Sequence, residues 1–266
     1  MRPPHPLPVF YEFAAPKAWG AIDFISDLHL AATLPRTFEA WAAQMLDTPA
    51  DAVFILGDLF EAWVGDDSRT LPFERQCIEV LAEASSRRPV VFMAGNRDFL
   101  LGAAVLSACG VMALPDPSVL VAWGQRVLLT HGDALCVDDT SYQQFRAEVR
   151  GDVWRNGFLA RPLAERKRIA AEYRHASEIR KAGVFDPADW ADLDTATTVA
   201  WMHAAGTAEM VHGHTHQPRS ETLAPGFKRH VLSDWDLDAP GPRGEVLRLS
   251  RDGFRRLAPT AALQRG

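Results

Sequence analysis

Five short apolar runs, Ala21 to Ile25, Ala52 to Leu56, Val90 to Ala94, Val127 to Thr130 and Glu209 to Val211, each end directly at a polar motif. Runs of this kind read as buried strands. Between them lie segments with helical signals: Arg36 to Asp47, Phe73 to Ser86 opening after Pro72, and Leu100 to Cys109 closing at Gly110. Strand and helix therefore alternate. That alternation predicts an α/β fold with sheet flanked by helices, and a ligand site beyond the carboxyl ends of the strands. From Thr140 to about Gly206 the chain reads as successive helices, so 140–206 is expected to be a helical cap inserted between the fourth and fifth motifs. Downstream, Lys228 to Leu232 and Glu245 to Ser250 alternate like late antiparallel strands, with Pro240-Gly241-Pro242 as the turn between them. Residues 1–20 carry Pro3, Pro4, Pro6, Pro8 and Pro16 and no apolar central run of a secretory signal. They read as a loose Pro-rich leader to a domain spanning 21–266.

The motifs at the strand ends are Ser26-Asp27-Leu28-His29, Gly57-Asp58, Gly95-Asn96-Arg97-Asp98, His131-Gly132-Asp133 and Gly213-His214-Thr215-His216. Together they supply seven oxygen or imidazole donors, a set that suits Mn, Mg, Fe or Zn, and no cysteine stands among them. Asp27 and His29 are two apart, as are His214 and His216, so each pair can reach one ion from a strand end. Gly57 and Gly95 allow a tight turn and close backbone approach beside Asp58 and Asn96. Asp58 is the candidate bridge, because one shared carboxylate holds two cations roughly 3.5 to 4 Å apart in two-metal hydrolases. Singly each motif has a bland reading as turn or cap; jointly they point to a binuclear centre.

Composition narrows the classes. The 266 residues carry a formal charge of -6, which indicates neither disorder nor wholesale nucleic-acid binding. Three scattered cysteines, Cys77, Cys109 and Cys136, favour a reducing compartment, the cytoplasm, over a disulfide framework. No stretch approaches the roughly 18 apolar residues that span a bilayer. Any membrane contact is expected to be peripheral. Arg146 to Lys181 nevertheless holds ten Lys/Arg against five Asp/Glu. Its basic residues read either as a solvated face or, with neighbouring apolar ones, as a surface for docking on an anionic membrane.

In order, Asp-x-His, Gly-Asp, Gly-Asn-Arg-Asp, His-Gly-Asp and Gly-His-x-His resemble the calcineurin-like metallophosphoesterases, from about Ile22 to His216. That resemblance implies a layered fold of β-sheets flanked by helices. It implies one ion held by Asp27, His29, Asp58 and His216, and a second held by Asp58, Asn96, His131 and His214. Arg97 stands where that family usually has His. Arginine offers a fixed planar charge to phosphate oxygens but cannot donate a proton near neutral pH.

Longer strings narrow the likeness: Ile55-Leu56-Gly57-Asp58-Leu59-Phe60-Glu61-Ala62-Trp63, Gly65-Asp66-Asp67, Gly95 to Gly102, His131 to Cys136, Tyr142-Gln143-x-Phe145-Arg146 and Arg166-Lys167-Arg168-Ile169-Ala170. They resemble the UDP-2,3-diacylglucosamine diphosphatases of lipid A biosynthesis. The resemblance implies hydrolysis of a lipid-linked nucleotide at its pyrophosphate, with manganese as the ion, on the cytoplasmic face of the inner membrane. Asp58, Arg97 and His214 would then carry catalysis, with Asp98 or Asp133 orienting ligand imidazoles. Asn96, Arg97, His214, Asp139, Ser177 and Lys181 would contact substrate, although Lys181 falls where that family has Asn. Trp154, Phe158, Leu159, Leu163 and Ile169 would either line an apolar chamber for acyl chains or pack the cap against the core. Nucleotide or cyclic-nucleotide hydrolysis on the same centre is the alternative, opposed by the insertion and Arg97. A non-catalytic scaffold is opposed by the retention of all seven donors.

Overall fold

The computed structural model describes residues 6–182 and 192–259, with side chains for 6–175 and 192–259. Strands β2 (Ala21–Ile25), β3 (Ala52–Leu56) and β4 (Val90–Met93) are apolar at nearly every position because both of their faces are covered. Ile22, Phe24, Phe54, Leu56 and Met93 point one way, and Ile25, Val53, Ile55 and Phe92 the other. The second set meets Trp41 and Met45 of α1 (Pro35–Asp47), Leu81 of α2 (Pro72–Arg87) and Val105 of α3 (Ala103–Ala108). The first set meets a second sheet.

That second sheet has the order β1 (Tyr11–Ala14), β6 (Ser118–Ala122), β7 (Gln125–Thr130), β8 (Glu209–His212), β10 (Phe227–Val231), β9 (Arg219–Ala224). The first has the order β12 (Gly253–Leu257), β11 (Val246–Ser250), β2, β3, β4, β5 (Met112–Ala113). Leu120, Val127, Leu129 and Val211 fill the space between the sheets. Trp201 and Met202 of α7 (Thr195–Ala205) close the far side against Leu128 and Met210. The result is the expected α/β layering, with two sheets stacked between helices.

Two expectations change. β10 and β11 do not form a hairpin: β10 pairs with β8 and β9, and β11 pairs with β2 and β12. Pro240-Gly241-Pro242 turns inside the crossover between sheets, closed by an Asp236–Arg243 bridge. The Pro-rich leader is also not loose throughout, because Tyr11 to Ala14 add a parallel edge strand to β6 and Trp19 is buried. Proline is tolerated there because Pro8 and Pro16 flank the strand rather than interrupt its ladder.

Over the carboxyl ends of the strands stand α4 (Thr140–Val149), α5 (Asp152–Leu159) and α6 (Leu163–Ala182). They are pinned from below. The buried Arg166 guanidinium donates to the Val64 and Arg161 carbonyls and pairs with Asp67. At Gly65, with φ +130°, a Cβ would lie 2.2 Å from Arg166 Nη1, so only glycine admits this pin. Much of the basic stretch serves such contacts rather than a uniform solvated face: Arg146 and Arg150 pair with buried Asp133, and Arg174 with Glu61.

Candidate metal centre

The seven donors converge from five loops at the carboxyl ends of β2, β3, β4, β7 and β8. Asp27, His29, Asp58, His214 and His216 all have φ between 47° and 70°, a left-handed conformation that costs non-glycine residues about 1 kcal/mol or more each. Strain concentrated on donors is the mark of a functional site. Gly95 shows the closeness demanded, since a Cβ there would lie 2.1 Å from Asp58 Oδ1.

Two clusters result. In one, His216 Nε2 lies 3.3 Å from Asp27 Oδ1 and 3.2 Å from His29 Nε2. In the other, Asn96 Oδ1 lies 3.0 Å from His131 Nε2 and 2.9 Å from His214 Nδ1. Asp58 joins them, with Oδ2 3.9 Å from His29 Nε2 and Oδ1 3.6 Å from His131 Nε2. Asp27, His29 and His216 form one group able to hold a metal ion; Asp27, Asp58 and His131 form another.

The electrostatics fit a cation. Asp27 and Asp58 are buried. Burial works against a charge on His131, yet Asp58, Asp27 and Asp133 raise its imidazole to about 9. Acids that draw a proton so firmly onto an imidazole hold a divalent ion in the same field. Burial and His131 lower His214 to about 4, which keeps it neutral, as a ligand must be. Oxygen and imidazole donors in these numbers suit Mg, Mn, Fe or Zn.

The supports of the centre differ from the sequence expectation. Neither Asp98 nor Asp133 orients a ligand imidazole. Buried Asp98 instead accepts backbone N–H bonds from Gly95 at 2.8 Å and Leu59 at 2.7 Å, lacing the Asp58 and Asn96 loops together. Burial and Asp58 push its carboxyl up to about 7. Asp133 accepts from Tyr142 Oη at 2.7 Å, Arg146 at 2.8 Å and Arg150 at 3.2 Å, which ties the His131 loop to α4. His131 is held by the Leu56 carbonyl, 2.9 Å from Nδ1. His29 Nδ1 faces Glu61 Oε2 at 3.3 Å. Glu61 received no role from sequence reasoning, although it sits three residues beyond Asp58 in a string singled out for its pattern.

Beside the centre lies a cavity of about 600 Å³. Asn96, Arg97 and Arg174 stand on its polar side, and Trp63, Trp154 and Phe158 on its apolar side. Trp154 and Phe158 thus line the expected chamber. Leu159, Leu163 and Ile169 do not: Leu163 and Ile169 pack against the core, and Leu159, 39% exposed, sets its Cδ2 against Gly65. Asp139 caps α4, accepting from Tyr142 N–H at 2.9 Å, and is not part of the cavity wall. Ser177 and Lys181 fall on α6, with side chains outside the described residues.

The profile of the calcineurin-like phosphoesterases matches residues 20–218, which contain all five motifs. The chain belongs to that family. This phosphoesterase is a metal-dependent hydrolase. It is 43% identical over 242 residues to a UDP-2,3-diacylglucosamine hydrolase of Xanthomonas axonopodis pv. citri, covering 86% of this chain and 95% of that one. A protein of the same name from Ralstonia nicotianae is 43% identical over 253 residues, covering 91% and 94%. One from Chromobacterium violaceum is 42% identical over 246 residues, covering 89% and 98%.

Proposed function

We propose that the phosphoesterase hydrolyses the pyrophosphate of UDP-2,3-diacylglucosamine, giving UMP and 2,3-diacylglucosamine 1-phosphate, a step of lipid A biosynthesis. One observation carries this reading: an apolar chamber of about 600 Å³ opens beside the metal donors, with Arg97 at the junction. A nucleotide alone has no use for such a chamber, whereas acyl chains attached close to a diphosphate require one. The names of relatives more than 40% identical over most of the chain support the same substrate.

Two divalent cations, manganese by preference, would be held by Asp27, His29, Asp58 and His216 and by Asp58, Asn96, His131 and His214. Bound there, they acidify water near neutral pH and neutralise charge on phosphoryl oxygens. Asp58 belongs to both donor sets and would hold the two together. Arg97 reaches the phosphoryl oxygens with a planar guanidinium, and His214 lies beside them as a neutral imidazole. A guanidinium in place of a proton donor suits this reaction, because a sugar phosphate departs as an anion whose second pKa is about 6. Release of an alkoxide from a cyclic nucleotide has no such relief.

The surface of the cap supports an approach to a lipid surface. Val153 is 91% exposed and Tyr173 46% exposed, and both line one surface pocket with Arg161, a mixture of apolar and basic side chains suited to peripheral contact with the inner membrane from the cytoplasmic side. Among the described residues no helix is long and apolar enough to cross a membrane. The deciding assay offers the manganese-loaded protein UDP-2,3-diacylglucosamine and cyclic nucleotides in parallel. UMP release from the lipid should be faster by orders of magnitude. Preferential turnover of cyclic nucleotides would overturn the assignment.

A further inference from the structure

Glu61 stands where three elements meet. Its Oε2 lies 3.3 Å from His29 Nδ1, on the loop after β2. Its Oε1 lies 3.0 Å from Arg174 Nε, on cap helix α6, and 3.8 Å from Arg97 Nη1, on the loop after β4. The carboxylate is only 19% exposed, and the Glu61 backbone is fixed by a 3.2 Å N–H bond to the Leu30 carbonyl. Glu61, Arg97 and Arg174 all line the chamber.

We propose that Glu61 is a positioning residue with two separable duties. Through Oε2 it fixes the ring of His29 so that Nε2 faces the metal cluster. Through Oε1 it holds Arg97 and Arg174 in one orientation at the mouth of the chamber, where they meet the phosphates of the substrate. A metal-binding imidazole is ordinarily steadied by a carboxylate or carbonyl at its other nitrogen, and loss of that partner costs about 10- to 100-fold in metal affinity. Two arginines ordered in advance spare the substrate the cost of immobilising them, worth about tenfold in KM. The inference rests on the metal-centre and substrate readings above.

The duties separate by substitution in the full chain. Glu61→Gln retains an oxygen for the His29 N–H and loses the charge that gathers the arginines; Glu61→Ala loses both. Calorimetric titration of metal-free protein with Mn2+ should give Glu61→Gln a Kd within about threefold of wild type and Glu61→Ala one about 10- to 100-fold weaker. Both variants should raise KM for UDP-2,3-diacylglucosamine about tenfold, and because Arg97 is no longer held, Glu61→Gln should also lower kcat, by about tenfold and far less than Arg97→Ala. Unaltered Mn2+ affinity in Glu61→Ala, unaltered KM in Glu61→Gln, or Mn2+ affinity weakened equally in both variants overturns the proposal. If Glu61→Ala fails to fold, the split between KM and Mn2+ affinity in Glu61→Gln decides alone. Wild type that binds Mn2+ without cleaving this lipid would sink the substrate assignment, while the metal titration still judges Glu61.

Discussion

At the scale of single residues, Asp58 and Arg97 make opposite demands on the same few ångströms. Asp58 is 2% exposed, turns one oxygen toward each cluster and accepts the Arg97 backbone N–H at 2.8 Å through Oδ1. Asp58→Ala should therefore lower kcat by about three orders of magnitude and halve the metal content, with far-ultraviolet circular dichroism nearly unchanged. Undiminished hydrolysis would contradict its bridging position. The Arg97 guanidinium faces the chamber and Glu61, and its contact with a donor is made by the backbone N–H, which alanine keeps, so Arg97→Ala should lower kcat about 100- to 1,000-fold while metal content stays near that of wild type. Equal loss of both would place the guanidinium among the structural supports of the metals. The donors themselves were legible in the sequence, because each follows an apolar run and each is a ligand type. Glu61 was not, because its task exists only once the loops after β2 and β4 and helix α6 come together around it. Asp98 and Asp133 were misread for a related reason. A carboxylate beside a ligand motif has no written partner, and here backbone amides and the α4 arginines outcompete the imidazoles for both.

At the scale of elements, two of the contacts that hold the cap each make a prediction. Arg166 is a buried guanidinium whose loss leaves the Val64 carbonyl without a donor. Arg166→Met should cost about 1 to 3 kcal/mol of stability and admit proteases to α6 before the core unfolds. Equal protease resistance of mutant and wild type would show that the pin is dispensable. The second is made by Asp133. Burial alone would raise its carboxyl, but Arg150 and Arg146 hold it well below the usual carboxylate range. A depressed folded-state pKa stabilises above the unfolded value near 3.9 and loses that stability as pH falls toward the folded value. The stability gap between wild type and Asp133→Asn, measured by urea unfolding, should thus be full at pH 7 and shrink below about pH 4. A gap that widens with acid would contradict the ion pairing. The long elements were legible because a strand covered on both faces is an unbroken apolar run, as in β3, where all five positions are buried. The edge and short strands were not. β5 has two residues, both exposed, and β9 alternates only partly buried positions, so neither carries an apolar run to read. The pairing of β10 and β11 with different sheets is likewise a tertiary choice, made by the crossover through buried Trp235.

At the scale of the whole molecule, the layered fold delivers five loops to one end of the sheets and the cap covers that end with an apolar wall. The acidic balance of the chain and the basic cap are two aspects of one arrangement. In the proposed reading, acids gather where cations would bind, and Arg97 and Arg174 gather where the substrate's phosphates would approach. The central claim is that bound cations and this chamber act together on one lipid-linked diphosphate. The most direct measurement is UMP release from UDP-2,3-diacylglucosamine by protein stripped with a chelator and then titrated with Mn2+. Release should be absent after stripping and return in full at about two equivalents per chain. Release that survives stripping, or a fully reconstituted protein that leaves the lipid intact, would contradict the account.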